Sequence, residues 1–105
     1  MTTFDERERG FERKFVLDAE QEFKATARRN RMLGEWAAEL MGLESIEDYA
    51  RAVVKSDLEQ PGDDDVLRKV FGDLKGSGVT VSEGEVRNKM LELLAIAREQ
   101  IKKAG

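Results

Sequence analysis

Met-Leu-Gly-Glu-Trp-Ala-Ala-Glu-Leu-Met, residues 32–41, is the stretch that decides the fold class of this chain. Its apolar residues follow the i, i+3, i+4, i+7, i+8 spacing of one helix face, at Leu33, Trp36, Ala37, Leu40 and Met41. Gly42 follows in the place of a helix C-cap, and Gly34 is small enough to let a neighbouring helix come close. The stretch predicts the C-terminal half of a helix over residues 18–41.

Three further helices are predicted after this one, over residues 45–59, 63–75 and 82–103. Ser45 with Asp48, and Ser82 with Glu85, have the spacing of capping boxes at two of the helix starts. Pro61-Gly62 and Gly76-Ser77-Gly78 end the second and third helices. Four amphipathic helices with short connections predict a small all-α four-helix bundle over residues 18–105. We expect its centre to contain four large side chains: Trp36, Tyr49, Phe71 and Leu94.

The amino-acid composition limits the classes of function that this chain can have. The 105 residues suffice for one small domain, 38% of them are charged, and the net charge of −4 disfavours nucleic acid as the main partner. Without histidine or cysteine, no ordinary catalytic triad and no thiolate site can form, so the sequence argues against an enzyme. No apolar run has the length of a membrane span and no secretory signal is recognised. We therefore expect a cytoplasmic monomer with no cofactor and no metal.

The N-terminal segment, residues 1–17, differs from the rest of the chain. Phe4, Phe11 and Phe15 fall on one narrow face of a helix, and the residues between them are almost all charged, with balanced signs. Gly10 in the middle weakens an independent helix by about 1 kcal/mol. We expect a mobile, amphipathic segment that is poorly ordered or partly helical when free, and helical when a partner receives its Phe face. The alternative is that it forms the frayed start of the first helix and packs on the chain's own core.

Two charged clusters allow a functional and a structural interpretation. Asp63, Asp64 and Asp65 could bind a cation, but their spacing lacks the alternation of a calcium loop, and acids are favoured at a helix start. Arg28, Arg29 and Arg31 could bind a phosphate, ATP or ADP, or they could be a solvated helix face. Gly76-Ser77-Gly78 lacks the Lys-Ser/Thr ending of a phosphate loop.

The chain also resembles a known family, the zeta subunits of alphaproteobacterial F-type ATP synthases. The resemblance runs nearly end to end. It is carried by Thr3-Phe4-Asp5, Phe11-Glu12, Lys14-Phe15, Pro61-Gly62-Asp63 and Glu92-Leu93-Leu94, and most specifically by Ala-Arg-Arg-Asn-Arg-Met-Leu-Gly at 27–34 with Trp-Ala-Ala-Glu-Leu-Met-Gly at 36–42.

The resemblance implies a four-helix protein that inhibits ATP hydrolysis by the F1 sector. In that family, the N-terminal segment inserts at a catalytic α/β interface near the central γ shaft and blocks rotation, and the helical body carries it. The protein would then lie at the inner face of the membrane through F1. We call Phe4, Phe11 and Phe15 the Phe ridge. The expected F1-binding residues are this ridge and its charged neighbours: Phe4, Asp5, Glu6, Arg7, Glu8, Arg9, Phe11, Glu12, Arg13, Lys14 and Phe15. The rival hypothesis is a small nucleotide- or phosphate-binding module that uses Arg28, Arg29 and Arg31.

Overall fold

The computed structural model describes residues 17–104, and residues 1–16 and 105 lie outside the described part. The described part contains four helices and no strand: α1 (Ala19–Met41), α2 (Ile46–Glu59), α3 (Asp63–Gly76) and α4 (Glu83–Ala104). The all-α prediction and all four helices are confirmed, with bounds that differ by at most one residue. The predictions for the N-terminal segment fall on residues outside the described part, apart from Leu17.

Side chains cap three of the four helices at their N-termini. At α1, the Gln21 amide donates to Asp18 Oδ1 at 2.8 Å and the Asp18 amide donates to Gln21 Oε1 at 3.1 Å. This reciprocal box explains why α1 begins at Ala19. Ser82 and Glu85 form the predicted box at α4, and Ser45 accepts from the Asp48 amide at α2.

The C-terminus of α1 and the start of α3 test two other cap predictions. Gly42 has the left-handed conformation of a C-cap, with φ of 69°, as predicted. The N-cap of α3 is Gly62, with φ of 141° and no side-chain cap bond, so none of the three aspartates is the N-cap. They lie in the first turn of α3. Each is bound by an arginine: Asp63 by Arg29 at 2.8 Å, Asp64 by Arg87 at 3.7 Å and Asp65 by Arg68 at 2.5 Å.

Helix α1 is the centre of the bundle and packs along α2 and α4. Gly34 faces α2, where an added Cβ would lie 2.7 Å from the Ala50 Cα atom. The close approach expected from the small residue is therefore present, and it brings the two backbones into contact. The core beside it is made mainly of aliphatic side chains from all four helices: Leu33, Val53, Val66, Val70, Leu74 and Val86.

The prediction for the centre of the core is wrong. Trp36, Tyr49 and Phe71 are only partly buried and pack against the edge of the aliphatic cluster. The Tyr49 hydroxyl and the faces of the Trp36 and Phe71 rings have polar partners near the surface, which explains why these side chains lie at the edge of the core. The Tyr49 hydroxyl donates to Asp73 at 2.7 Å, and lysine ammonium groups lie over the Trp36 and Phe71 rings at 5.6 and 5.9 Å from the centroids. Leu94 packs against a second, smaller cluster.

This second cluster joins α1 to α4 at the end of the bundle where the chain enters α1. Its buried members are Ala25, Ala97 and Ile101. Leu17, the first described residue, packs against them, so residue 17 belongs to the helical body. Beside this cluster, a hydrogen bond also links α4 to α1, since Arg98 Nε donates to Glu22 at 3.1 Å.

Candidate functional site

The three arginines of α1 were the candidate site in the described part of the chain, and the structure separates Arg29 from Arg28 and Arg31. Arg29 is only 1% exposed. Its Nε donates to Asn30 Oδ1 at 2.8 Å and its guanidinium donates to Asp63 at 2.8 Å. Because its charge is directed at the start of α3 within the protein, Arg29 acts as a link between helices.

Asn30 extends this buried link to the loop between α2 and α3. It is also 1% exposed, and its amide donates to Asp57 Oδ2 at 2.8 Å. The other oxygen of Asp57 accepts from the Gly62 amide at 3.1 Å. No side-chain N or O atom buried in the described part lacks a hydrogen-bond partner. The Arg29–Asn30 pair therefore holds the Pro61-Gly62 turn against α1, which gives a structural reason for these residues in the sequence.

Arg28 and Arg31 leave α1 toward different helices. Arg28 donates to Gln100 of α4 at 3.2 Å, whereas Arg31 donates to both carboxylate oxygens of Glu47 of α2 at 2.6 and 2.8 Å. Arg31 also lies 3.5 Å from Glu35. Since helical residues are about 100° apart around the axis, 28, 29 and 31 cannot all share one face.

A different set of cations lines an open groove on the outer face of α1. The groove has a volume of about 380 Å³, with α1 as its floor, Val54 of α2 on one side and Ile101 of α4 on the other. Lys24, Arg28 and Arg31 line it at the i, i+4, i+7 spacing of one helix face. Within residues 17–104 no carboxylate lines this part of the groove, although the whole chain has a net charge of −4. Lys24 was not among the residues predicted from the sequence, although its i, i+4, i+7 spacing with Arg28 and Arg31 was a signal for it.

The same groove has an apolar side between α1 and α2. Phe23 is 62% exposed and Leu58 is 58% exposed. Between them lies a small pocket of about 30 Å³, whose lining also includes Ala27 and Val54 and the polar side chains of Thr26, Asn30 and Asp57. We call the whole concave surface, defined by Phe23, Lys24, Ala27, Arg28, Arg31, Val54, Leu58 and Ile101, the α1 groove.

The other candidate residues, Phe4 to Phe15, lie outside the described part, so their prediction as F1-binding residues stays untested. In residues 17–104 no helix is long and apolar enough to cross a membrane, and no cluster of three or more acidic side chains could hold a metal ion.

Comparisons with known proteins identify the family. The family model described as "ATPase inhibitor subunit zeta" matches residues 1–100. A solved structure, described as a solution NMR structure, is 44% identical, with a TM-score of 0.67 over 80% of this chain and 98% of that chain. A search of the curated proteins gave no match. The match to the family model includes the N-terminal segment, the first three helices and most of α4, and the chain belongs to the ATPase inhibitor subunit zeta family.

Proposed function

We propose that this protein inhibits ATP hydrolysis by inserting residues 4–15 at a catalytic α/β interface of F1, near the γ shaft, and so blocking rotation. The observation that carries the proposal is the extent of the family match, which begins at residue 1 and includes the whole segment. A family of ATPase inhibitor subunits implies an ATP synthase as the partner. Insertion at the interface is the mode that the Phe ridge of the segment suits best.

The helical body suits the role of a carrier. Its described residues build two apolar clusters of their own, joined by α1. The Asp18–Gln21 box gives α1 a defined start immediately after Leu17. A body with its own core can hold the segment at a fixed attachment point without supplying catalytic groups.

The energetics of the proposed insertion are favourable but limited. Burying one aromatic side chain contributes about 1.5–3 kcal/mol, so two or three phenylalanines could anchor the segment. Folding coupled to binding would cost about 2–5 kcal/mol, which keeps the contact reversible. Residues 4–15 have four acidic and four basic side chains, so the segment has no net charge and could pair with groups of both signs in a polar cleft.

Single alanine substitutions in the full chain test the insertion. Phe11→Ala should raise the half-inhibitory concentration against F1 hydrolysis by about 10- to 100-fold, because it removes one buried ring. Leu91→Ala is the control, since Leu91 is an exposed apolar residue of α4 that does not line the α1 groove. Equal inhibition by Phe11→Ala and the unchanged chain would count against the ridge.

A second candidate function is nucleotide or phosphate binding in the α1 groove. The observation that favours it is the row of Lys24, Arg28 and Arg31, which replaces the predicted trio. Titration with ATP and ADP, followed by backbone NMR shifts, tests it. Shifts along residues 24–31 that Arg28→Glu abolishes would support the site, whereas no shifts, or shifts confined to residues 1–16, would exclude it.

A further inference from the structure

The α1 groove begins where the N-terminal segment joins the body. Leu17 packs on the Ala25–Ala97–Ile101 cluster, and Ile101 also forms one wall of the groove. Phe15 is two residues from Leu17, and two residues of extended chain span at most about 7 Å. If residues 4–15 are held inside F1, this end of the body must therefore lie against the F1 surface around the entry.

The apolar side of the groove has the features of an interface anchor. Phe23 and Leu58 expose more than half of their surfaces, at 62% and 58%. The pocket between them, of about 30 Å³, has room for the tip of one apolar side chain, since one water needs about 10–15 Å³ by this measure. Apolar anchors in such pockets contribute a large share of binding energy. A free phosphate or nucleotide phosphate would leave this side of the groove uncovered.

The charged side of the groove defines the chemistry of the partner. Three cations line this side, on a chain with net charge −4, and the one carboxylate of the groove's described lining, Asp57, lies at the pocket and accepts hydrogen bonds from Asn30 and the Gly62 amide. Arg31 is neutralised by Glu47 at 2.6 Å, and among the described residues Lys24 has one long ion pair, with Glu20 at 3.5 Å. Arg28 donates to the neutral Gln100 at 3.2 Å. Arg28 and Lys24 thus retain charge for an acidic partner.

We propose that the α1 groove is a second contact with F1, which receives an acidic, amphipathic surface element beside the entry of the inserted segment. An apolar side chain of that element enters the pocket between Phe23 and Leu58, and its carboxylates meet Lys24 and Arg28. This inference rests on the proposed function, because it uses the inserted segment to place the groove against F1. It assigns the body a part in affinity and orientation in addition to carrying the segment.

Inhibition of F1 by full-length variants tests the groove. Phe23→Ala should raise the half-inhibitory concentration about 10- to 30-fold, the effect of truncating an interface anchor. Leu91→Ala is the matched control, because Leu91 is 64% exposed on α4 and is not among the residues that line the groove. Arg28→Glu should weaken inhibition mainly at low salt, whereas Arg51→Glu, on the exposed face of α2, should not. Thermal unfolding of each variant excludes a folding defect.

The outcomes separate this inference from the proposed function. If the unchanged chain inhibits and Phe23→Ala equals Leu91→Ala, the groove inference is overturned and the segment proposal stands. If the unchanged chain does not inhibit, both are overturned. Stronger inhibition by Phe23→Ala would mean that the groove holds the chain's own N-terminal segment. An effect of Arg28→Glu without an effect of Phe23→Ala would indicate a small anion. Either of these results overturns the inference.

Discussion

The contact between α1 and α2 at Gly34 gives a prediction that can be worked out from distances. A Cβ atom at residue 34 would lie 2.7 Å from Ala50 Cα and 3.2 Å from a Val53 methyl carbon. Carbon atoms pack best at about 3.5–4.0 Å, so the two helices would have to move apart by close to 1 Å. Backbone lies on one side of this contact, so a rotamer change cannot relieve it.

Gly34→Ala should therefore destabilise the protein. Overpacking costs typically about 1–3 kcal/mol, and the higher helix propensity of alanine offsets about 1 kcal/mol of it. We expect a net loss of about 0–2 kcal/mol, and each kcal/mol lost lowers the midpoint of thermal unfolding by about 4–8 °C. Urea unfolding followed by circular dichroism measures the change in free energy.

Gly72→Ala is the matched control, because Gly72 lies within α3 and an added Cβ there meets nothing within 4 Å. Only the higher helix propensity of alanine then acts, and it should raise the free energy of unfolding of this variant by about 0.5–1 kcal/mol. If Gly34→Ala were as stable as Gly72→Ala, the close approach of α1 and α2 would be refuted.

Three other substitutions test two polar links between helices and one helix cap by urea unfolding. Arg29→Met should cost about 1–3 kcal/mol, because it leaves the buried Asn30 oxygen without its donor; a loss below about 0.5 kcal/mol would contradict the link. Tyr49→Phe should cost about 1 kcal/mol through loss of the bond to Asp73. Burial and that bond raise the pKa of Tyr49 above its ordinary value of 10.0, so stability should fall as pH rises above that value, and the decline should be smaller in Tyr49→Phe. Ser82→Ala should cost about 1 kcal/mol by removing the cap of α4, and no loss would refute the cap.

Local patterns predicted the helices because their causes are local. The apolar spacing at 32–41, the glycine at residue 42 and the Ser82–Glu85 box act within one or two turns of the chain. Gly34 was also a local signal, since a small residue inside a helix commonly marks close packing. Family resemblance and the structure agree with these patterns, and together they fix the fold.

The errors arose where position depends on residues distant in the sequence. Arg29 is buried because Asp63, 34 residues away, lies beside it, and no spacing on α1 reveals that partner. Trp36 and Tyr49 lie on the correct faces of their helices, but periodicity gives the face and not the depth. The α1 groove combines α1, α2 and α4, so only its cation row could have been recognised in the sequence.

The proposed function requires that residues 4–15 inhibit F1 and that the four-helix body carries them. The most direct test is ATP hydrolysis by F1 from the source organism, with the full chain and with a version that lacks residues 1–16. Leu17 is kept because it packs on the second cluster, and circular dichroism establishes that the shortened chain is helical. We expect inhibition by the full chain and none by the shortened chain at the same concentration. Equal inhibition by both, or by neither, would contradict it.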